Sequence, residues 1–286
     1  MRFTANMKND LLFTYANWGD VRSADFVNLI SELGKLGALA GQHTSKDGAG
    51  RLQHFTLKLW ETPFIAIQVQ NIRSAGLRIL DIGSGLSPLP AHLQSLGHSV
   101  TAVDNNAWNL WEKGAGWMKS IYRTGAEYVE LSNLRDITRF DKHSFDVITS
   151  CSVIEHFDEE TFRIFREVLK HAANPEGQII LTYDFDIAIW GAVSKDRDML
   201  DIIKAGRLME NLFGEGPVSQ QLIAKTMKLQ NRIKLAYPLF LASRSHLFKL
   251  YRKLKKTGPM FNNLGTSLRE VTSSIGISCP ISCLIK

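Results

Sequence analysis

The chain has 286 residues, of which 44% are hydrophobic and 22% charged, a composition typical of an ordinary globular protein. The N-terminus has no apolar segment, and no apolar run approaches the roughly 18 residues that a membrane-spanning helix needs. Three cysteines without a Cys-x-x-Cys pair fit neither a disulfide framework nor a zinc site, so we expect a reducing, cytoplasmic location.

The first part of the chain, residues 1–75, is predicted to be a helical N-terminal lid. The segment SADFVNLISELGKLGAL carries apolar residues at helical spacing, and Ser23 or Asp25 is a suitable N-cap. The polar, glycine-rich segment Gly41–Arg51 is predicted to be a loop. An apolar periodicity then resumes, with Pro63 near a bend or a helix start.

Strands alternate with helices between residues 76 and 186. Short apolar strands are predicted over LRILDIG, HSVTAVD, AEYVELSN, SFDVITSC and GQIILTYDF. Helices are predicted over PLPAHLQSLG, which ends at Gly97, and over DEETFRIFREVLKHA, which has Asp158 as its cap. The segment between the second and third strands is partly helical, and the spacing of Trp108, Trp111 and Trp117 indicates packing. This alternation predicts an α/β fold with a parallel, doubly wound sheet.

The rest of the chain divides into a basic helical part and a short closing part. A helical insert is predicted over residues 187–268, and a last helix with one or two closing strands over residues 269–286. The formal net charge is +6, yet residues 217–269 hold eleven Lys or Arg and no Asp or Glu, so the remainder is net acidic. Such asymmetry indicates contact with an anionic partner, although a solvated helical face has the same composition.

The stretch LRILDIGSGLSPLP joins the first of these strands to the next helix through a glycine turn. Such a turn brings backbone close to a ligand at a helix N-terminus. The dinucleotide-binding pattern fails because Pro88 stands at its third glycine position. Asp81, two residues before the first glycine, instead suits a ligand that carries an ammonium group and no phosphate. S-adenosylmethionine is such a ligand, and Asp104, which ends the second strand, is placed to take both ribose hydroxyls.

Five motifs make the chain resemble the class I S-adenosylmethionine-dependent methyltransferases. They are ILDIGSG, VTAVDNN, LRDI, SFDVITSCSVIEHF and PEGQIILT, and they follow the family's order at roughly its spacing. The resemblance covers about residues 77–185 and implies a Rossmann-like, seven-stranded class I methyltransferase sheet, with residues 76–186 as the cofactor-binding core. Many members carry a third glycine where this chain has Ser87, whose neighbouring proline should stiffen the turn.

The resemblance also implies roles for individual residues. The two glycines of the turn approach the methionine part of S-adenosylmethionine, and Asp81 helps to hold its amino group. Asp104 takes the ribose. Asp136 and the backbone of Ile137 frame the adenine, while Cys151 offers backbone near the methionine part. The cofactor-binding residues implied in this way are Asp81, Gly83, Ser84, Gly85, Asp104, Asn105, Asp136, Ile137 and Cys151.

Catalysis by such an enzyme mainly requires alignment of donor and acceptor, and a base only where the acceptor loses a proton. His156, with Glu155 beside it, follows the fourth strand and is the candidate base, with packing at a helix start as the alternative. Metal-binding relatives carry Glu-x-x-Glu-His here, but this chain has Ser152 at the first position, so no metal is predicted. Trp60 and Glu61 are candidates for lining the acceptor pocket, with core packing the alternative for Trp60.

The function predicted overall is methyl transfer from S-adenosylmethionine to a small-molecule, glycan or lipid-like acceptor, at oxygen. Basic and aromatic residues are mixed over residues 235–256, which suits peripheral contact with an anionic membrane or a phosphate-rich acceptor. Nucleic acid is not expected as a partner, because no RNA-binding module and no base-methylation motif of the Asn-Pro type is visible. The alternatives are an RNA or protein methyltransferase that uses the basic segment, and a non-enzymatic S-adenosylmethionine-binding protein.

Overall fold

The computed structural model describes residues 12–15, 23–41, 60–107, 111, 114–184 and 274–281, together with the single positions 210, 212 and 220. Apart from those single positions, the predicted basic insert at residues 187–268, including the segment 235–256, lies outside these ranges. So does nearly all of the predicted loop at residues 41–51. Within the described ranges, no helix combines the length and the apolar character needed to cross a membrane.

A seven-stranded sheet organises the described residues. Its strands are β1 (Leu12–Tyr15), β2 (Arg78–Ile82), β3 (Ser99–Asp104), β4 (Glu127–Glu130), β5 (Phe145–Cys151), β6 (Ala173–Asp184) and β7 (Ser274–Pro280). Their order across the sheet is β1-β7-β6-β5-β2-β3-β4. Strands β2 to β6 pair in parallel, whereas β7 runs antiparallel to both β6 and β1. The α/β class and the parallel-dominated, Rossmann-like sheet are therefore confirmed.

Helices cover both faces of this sheet. They are α1 (Ala24–Gly41), α2 (Glu61–Ile72), α3 (Leu89–Ser95), α4 (Ala115–Tyr122) and α5 (Glu159–Ala172), with short 3-10 turns at Leu134–Arg139 and Ile154–His156. Asp158 caps α5 as predicted, its side chain accepting a hydrogen bond from the Thr161 N–H at 2.8 Å. The helical segment that contains α3 ends at Gly97, as predicted. The φ of Gly97 is 89°, the left-handed conformation that a helix end favours.

Alternate residues of the central strands pack into two different hydrophobic cores. Leu80 of β2 and Ile148 of β5 are paired neighbours and face the core that α5 covers. Ile79 and Val147 are also paired and face the core built with α1 to α4. Because both faces of the sheet are buried, these strands are nearly continuous apolar runs. Asp81 interrupts the run in β2 close to its carboxyl end, which marks that end as chemically different.

Six of the seven strands lie where the sequence predicts strands, but β1 lies in a region predicted to be helical. Its four residues are too few to show a periodicity, and backbone pairing with β7 orders them, with Leu12 opposite Ser278. This pairing covers what would otherwise be an open edge of β7. At the other end of the chain, β7 begins at Ser274, so it starts within the part of residues 269–286 where a last helix is predicted before the closing strands.

A tight turn follows β2 and leads into α3. Gly83 and Gly85 have φ angles of 73° and 49°, a left-handed conformation that glycine adopts without steric cost. A β-carbon at residue 83 would lie 2.8 Å from Val153 Cγ1 and closer still to Cγ2, so the turn touches the segment after β5. The Ser150 hydroxyl adds a hydrogen bond of 2.9 Å to the carbonyl oxygen of Ile82. The ends of β2 and β5 are therefore held in contact.

Replacing Gly83 with alanine is expected to lower the free energy of unfolding by about 2–5 kcal/mol, because left-handed strain adds to the clash with Val153. Gly76→Ala is the matched control: Gly76 has nearly the same φ, 76°, but a β-carbon there would meet nothing within 4 Å. It should lose only the strain, about 1–2 kcal/mol. Chemical denaturation of both variants makes the comparison, and equal losses would contradict the close approach.

Candidate active site

The strand order changes direction between β2 and β5, since β3 and β4 follow on one side and β6 on the other. In doubly wound sheets, ligands bind in the crevice at the carboxyl ends of the strands that flank this point. Three segments meet at this edge: the glycine turn after β2, the end of β3 and the segment after β5. Most of the predicted site residues lie on these three segments.

Asp104, at the end of β3, is bonded directly to the glycine turn. Its Oδ2 accepts a hydrogen bond from the Gly85 N–H at 2.9 Å, and its Oδ1 accepts one from the Asn106 N–H at 2.7 Å. The N–H groups of Gly83 and Ser84 donate to the carbonyl oxygen of Val103 at 2.8 and 3.2 Å, so three hydrogen bonds join the turn to β3. Burial raises the pKa of the Asp104 carboxyl, and the two backbone donors oppose that rise. Each carboxylate oxygen can still accept from a ligand hydroxyl.

Asp81 lies just before the turn, and its side chain is almost completely buried, with 1% exposed. Its Oδ1 accepts a hydrogen bond of 2.6 Å from the Thr149 hydroxyl, across the paired strands β2 and β5. Burial raises the pKa of Asp81 to about 7; the Thr149 bond opposes the rise and the charge of Asp104 adds to it. The Asp81 carboxyl therefore changes charge near neutral pH, and an approaching cation would favour its ionised form.

Two buried aromatic side chains hold the carbonyl oxygens of the turn. The Trp111 indole N–H donates to the carbonyl oxygen of Gly85 at 2.7 Å, and the Tyr122 hydroxyl donates to that of Leu86. The sequence predicted only packing for Trp111 and did not single out Tyr122. No local pattern could have revealed these bonds, because the partners lie 26 and 36 residues apart in the chain.

The residues predicted around the ribose and adenine lie in different surroundings. Asn105 is exposed, and its side-chain oxygen accepts from a backbone N–H two residues further on. Asp136 is partly buried, and its Oδ2 accepts from the N–H groups of Ser132 and Asn133 at 2.8 and 3.0 Å, which closes a capping box on the 3-10 turn. Ile137 is buried in the core. The contact of its backbone with the adenine stays a prediction.

The segment after β5 places its polar side chains in unlike surroundings. Cys151 ends the strand and is half-buried, Glu155 is buried, and His156 is exposed. The last two share a 3-10 turn, in which the His156 N–H donates to the carbonyl oxygen of Val153 at 3.0 Å. His156 is therefore open to a molecule that arrives from solvent, whereas Glu155 faces the protein interior.

The start of α2 packs onto the same edge. Trp60 is buried, and its ring stacks on that of Phe64 with centroids 4.8 Å apart, which agrees with core packing. The next residue, Glu61, is 0% exposed, and its Oε1 accepts a hydrogen bond from the Ser152 hydroxyl. Glu61 thus belongs to the site edge without being open to solvent.

Ser84 lies between the two glycines of the turn. It is buried, and its hydroxyl has no hydrogen-bond partner among the residues that the structure describes. A buried hydroxyl is costly unless some group satisfies it. With the carboxylates of Asp81 and Asp104, this set fits the ammonium and ribose hydroxyls of S-adenosylmethionine. In the same described ranges, no group of three or more His, Cys, Asp or Glu side chains is placed to hold a metal ion.

Comparison with known proteins identifies a domain within the chain. Residues 80–181 match the family model described as a methyltransferase domain. The matched residues run from β2 to β6 and contain the glycine turn, Asp104 and the segment after β5. The comparison with curated proteins gives no match.

Several solved structures are similar to this chain at low identity. The PH0226 protein from Pyrococcus horikoshii is 17% identical over 52% of this chain and 64% of its own, with a TM-score of 0.39. A TehB-like SAM-dependent methyltransferase from Corynebacterium glutamicum is 18% identical over 51% and 68%, with a TM-score of 0.38. A SAM-dependent methyltransferase from Aquifex aeolicus is 16% identical over 54% and 80%, with a TM-score of 0.39. This chain spans less than two thirds of the first of these structures.

The family match and the residues of the site agree. The matched range coincides with the five motifs, and within it lie the turn that fails the dinucleotide pattern and both acidic strand ends. Residues 80–181 of this chain are therefore similar to a methyltransferase domain over the range that holds the glycine turn and both acidic strand ends.

Proposed function

We propose that the protein is an enzyme that transfers a methyl group from S-adenosylmethionine to a hydroxyl of a small-molecule, glycan or lipid-like acceptor. The hydrogen bond between Asp104 and the backbone of Gly85 carries the proposal. It joins the residue expected to take the ribose to the turn expected to face the methionine part. This bond therefore fixes the position of Asp104 relative to the glycine turn, and both would contact the cofactor.

The two parts of the cofactor would be held by residues from different strands of the sheet edge. The residues that would hold the adenosine part end or follow β3 and β4 and are Asp104, Asn105, Asp136 and Ile137. Those that would hold the methionine part end or follow β2 and β5 and are Asp81, Gly83, Ser84, Gly85 and Cys151. S-adenosylmethionine supplies a methyl group that its sulfonium has already activated. The work left to the protein is to bind and orient the two reactants and to exclude water.

The acceptor side of the proposal rests on the exposed position of His156. Its imidazole accepts the proton that an acceptor hydroxyl loses, and the buried Glu155 is the second candidate base. The basic segment at residues 235–256 would favour an acceptor or a membrane surface that carries negative charge. On this proposal the protein works in the cytoplasm or at the periphery of a membrane.

Asp104→Ala is expected to weaken S-adenosylmethionine binding at least about tenfold, because both the ribose contact and the bond to Gly85 are lost. Isothermal titration calorimetry measures the affinity. Asp141→Ala, which removes an exposed acid, is the control and should bind like the native protein. Unchanged affinity in Asp104→Ala would contradict the proposed site, whereas no binding by the native chain would contradict the proposed function.

The affinity for S-adenosylmethionine is expected to rise from about pH 6 to about pH 8, because Asp81 ionises near pH 7 and a cation binds its charged form more tightly. Binding below pH 7 should accordingly release a proton from this carboxyl. Asp81→Asn keeps an acceptor for Thr149 and should lose this part of the rise. Calorimetry in two buffers of different ionisation enthalpy counts the protons. The same pH dependence in both proteins would argue against Asp81 facing the cation.

His156→Ala is expected to lower kcat by about a hundredfold or more while leaving the cofactor affinity unchanged, because it removes a base and not a cofactor contact. Transfer of a labelled methyl group to glycan and lipid extracts measures kcat. An unchanged rate would leave Glu155 as the candidate base. Label recovered in RNA or protein would overturn the proposed acceptor class, and cofactor binding without transfer to any fraction would favour a non-enzymatic role.

A further inference from the structure

Glu61 is a fully buried carboxylate in the first turn of α2. Its Oε1 accepts a hydrogen bond from Ser152, the first residue after β5. A second contact joins the same two segments, since the Thr62 hydroxyl oxygen lies 3.9 Å from the Cys151 sulfur. Two successive residues of α2 are thereby fastened to two successive residues at the exit of β5.

The backbone of Ser152 is unusual. Its φ of 51° is left-handed, which is uncommon for a residue other than glycine, and its N–H donates to the carbonyl oxygen of Thr182 at 3.0 Å. Such conformations persist where the surroundings hold them, and they concentrate at ligand sites. The next residue, Val153, is the one that touches the turn at Gly83. The bond from Ser152 to Glu61 therefore helps to fix the backbone that meets the glycine turn.

Burial opposes a charge at Glu61, and two features of the structure stabilise one. The residue opens a helix of 12 residues, where the helix dipole stabilises an anion, and the Ser152 hydroxyl donates to its oxygen. Because the carboxylate is removed from water, its field is screened less than that of a surface acid and extends over several ångströms. The carboxylate contacts the first residue after β5, on one side of the crevice between β2 and β5.

We propose that Glu61 is a positioning residue whose charge makes the site prefer the positively charged methyl donor over the neutral product. This inference rests on the proposed binding of S-adenosylmethionine at this edge. Transfer of the methyl group leaves the sulfur electron pair behind, so the sulfonium becomes the neutral thioether of S-adenosylhomocysteine. Since the adenosine part is assigned to β3 and β4, the sulfur lies towards β2 and β5. Glu61 stands there behind Ser152 and favours exchange of spent product for fresh donor.

The test compares the affinities of S-adenosylmethionine and S-adenosylhomocysteine by calorimetry. Glu61→Gln keeps an acceptor for Ser152 and removes only the charge; it should weaken S-adenosylmethionine about tenfold and S-adenosylhomocysteine less than about twofold. Glu61→Met has similar volume and no polar group, so it should shift the preference in the same direction even if the amide variant does not fold. Glu159→Gln removes an exposed acid from α5 and should change neither affinity.

The outcomes separate the inference from the function on which it rests. Equal weakening of both ligands would make Glu61 a purely structural residue and overturn the proposal, and so would unchanged affinity for both. If the native protein binds neither ligand, the proposed function itself fails. Thermal denaturation of each variant shows that the compared proteins are folded.

Discussion

The arrangement of the site depends on one hydrogen bond, which the Asp104 carboxylate accepts from the Gly85 N–H. Through Gly85 it joins the turn after β2 to the end of β3, and the Gly83 N–H joins the same turn to the Val103 carbonyl. A side chain at residue 83 would strike Val153, so backbone groups occupy this place. The sheet therefore determines the shape of the site directly, with few flexible side chains between the sheet and the ligand.

Three acidic side chains meet at this edge, and each has its own donor. Asp81 is held by Thr149, Asp104 by backbone N–H groups, and Glu61 by the Ser152 hydroxyl. Burial favours the neutral form of each carboxyl and the donors oppose it; for Asp81 and Asp104 burial prevails and the pKa is raised. A bound cation would favour the charged forms, which suits a ligand with both an ammonium and a sulfonium group. In the sequence, the excess of positive charge falls in residues 217–269, which apart from position 220 lie outside the described ranges.

The parts of the structure that follow local rules could be predicted from sequence. The alternation of strands and helices, the cap at Asp158 and the glycine turn all depend on residues close together in the chain. The bond between Glu61 and Ser152 joins residues 91 positions apart, and no periodicity reports such a contact. Asp136 shows the opposite case: its spacing from Asn133 is that of a capping box, a local pattern that the sequence analysis did not use. The adenine contact stays a prediction.

The position of β7 in the sheet also affects the order in which the strands can join the sheet during synthesis. β1 pairs with β7 and with no other strand of the described sheet, although nearly the whole chain separates the two. While the chain is being synthesised, residues 12–15 therefore cannot form their strand pairing until residues 274–280 have been made. The parallel strands β2 to β6 can assemble without either segment. Because β7 is synthesised last and β1 pairs only with it among the described strands, β1 joins the sheet after the parallel strands that form the cofactor edge.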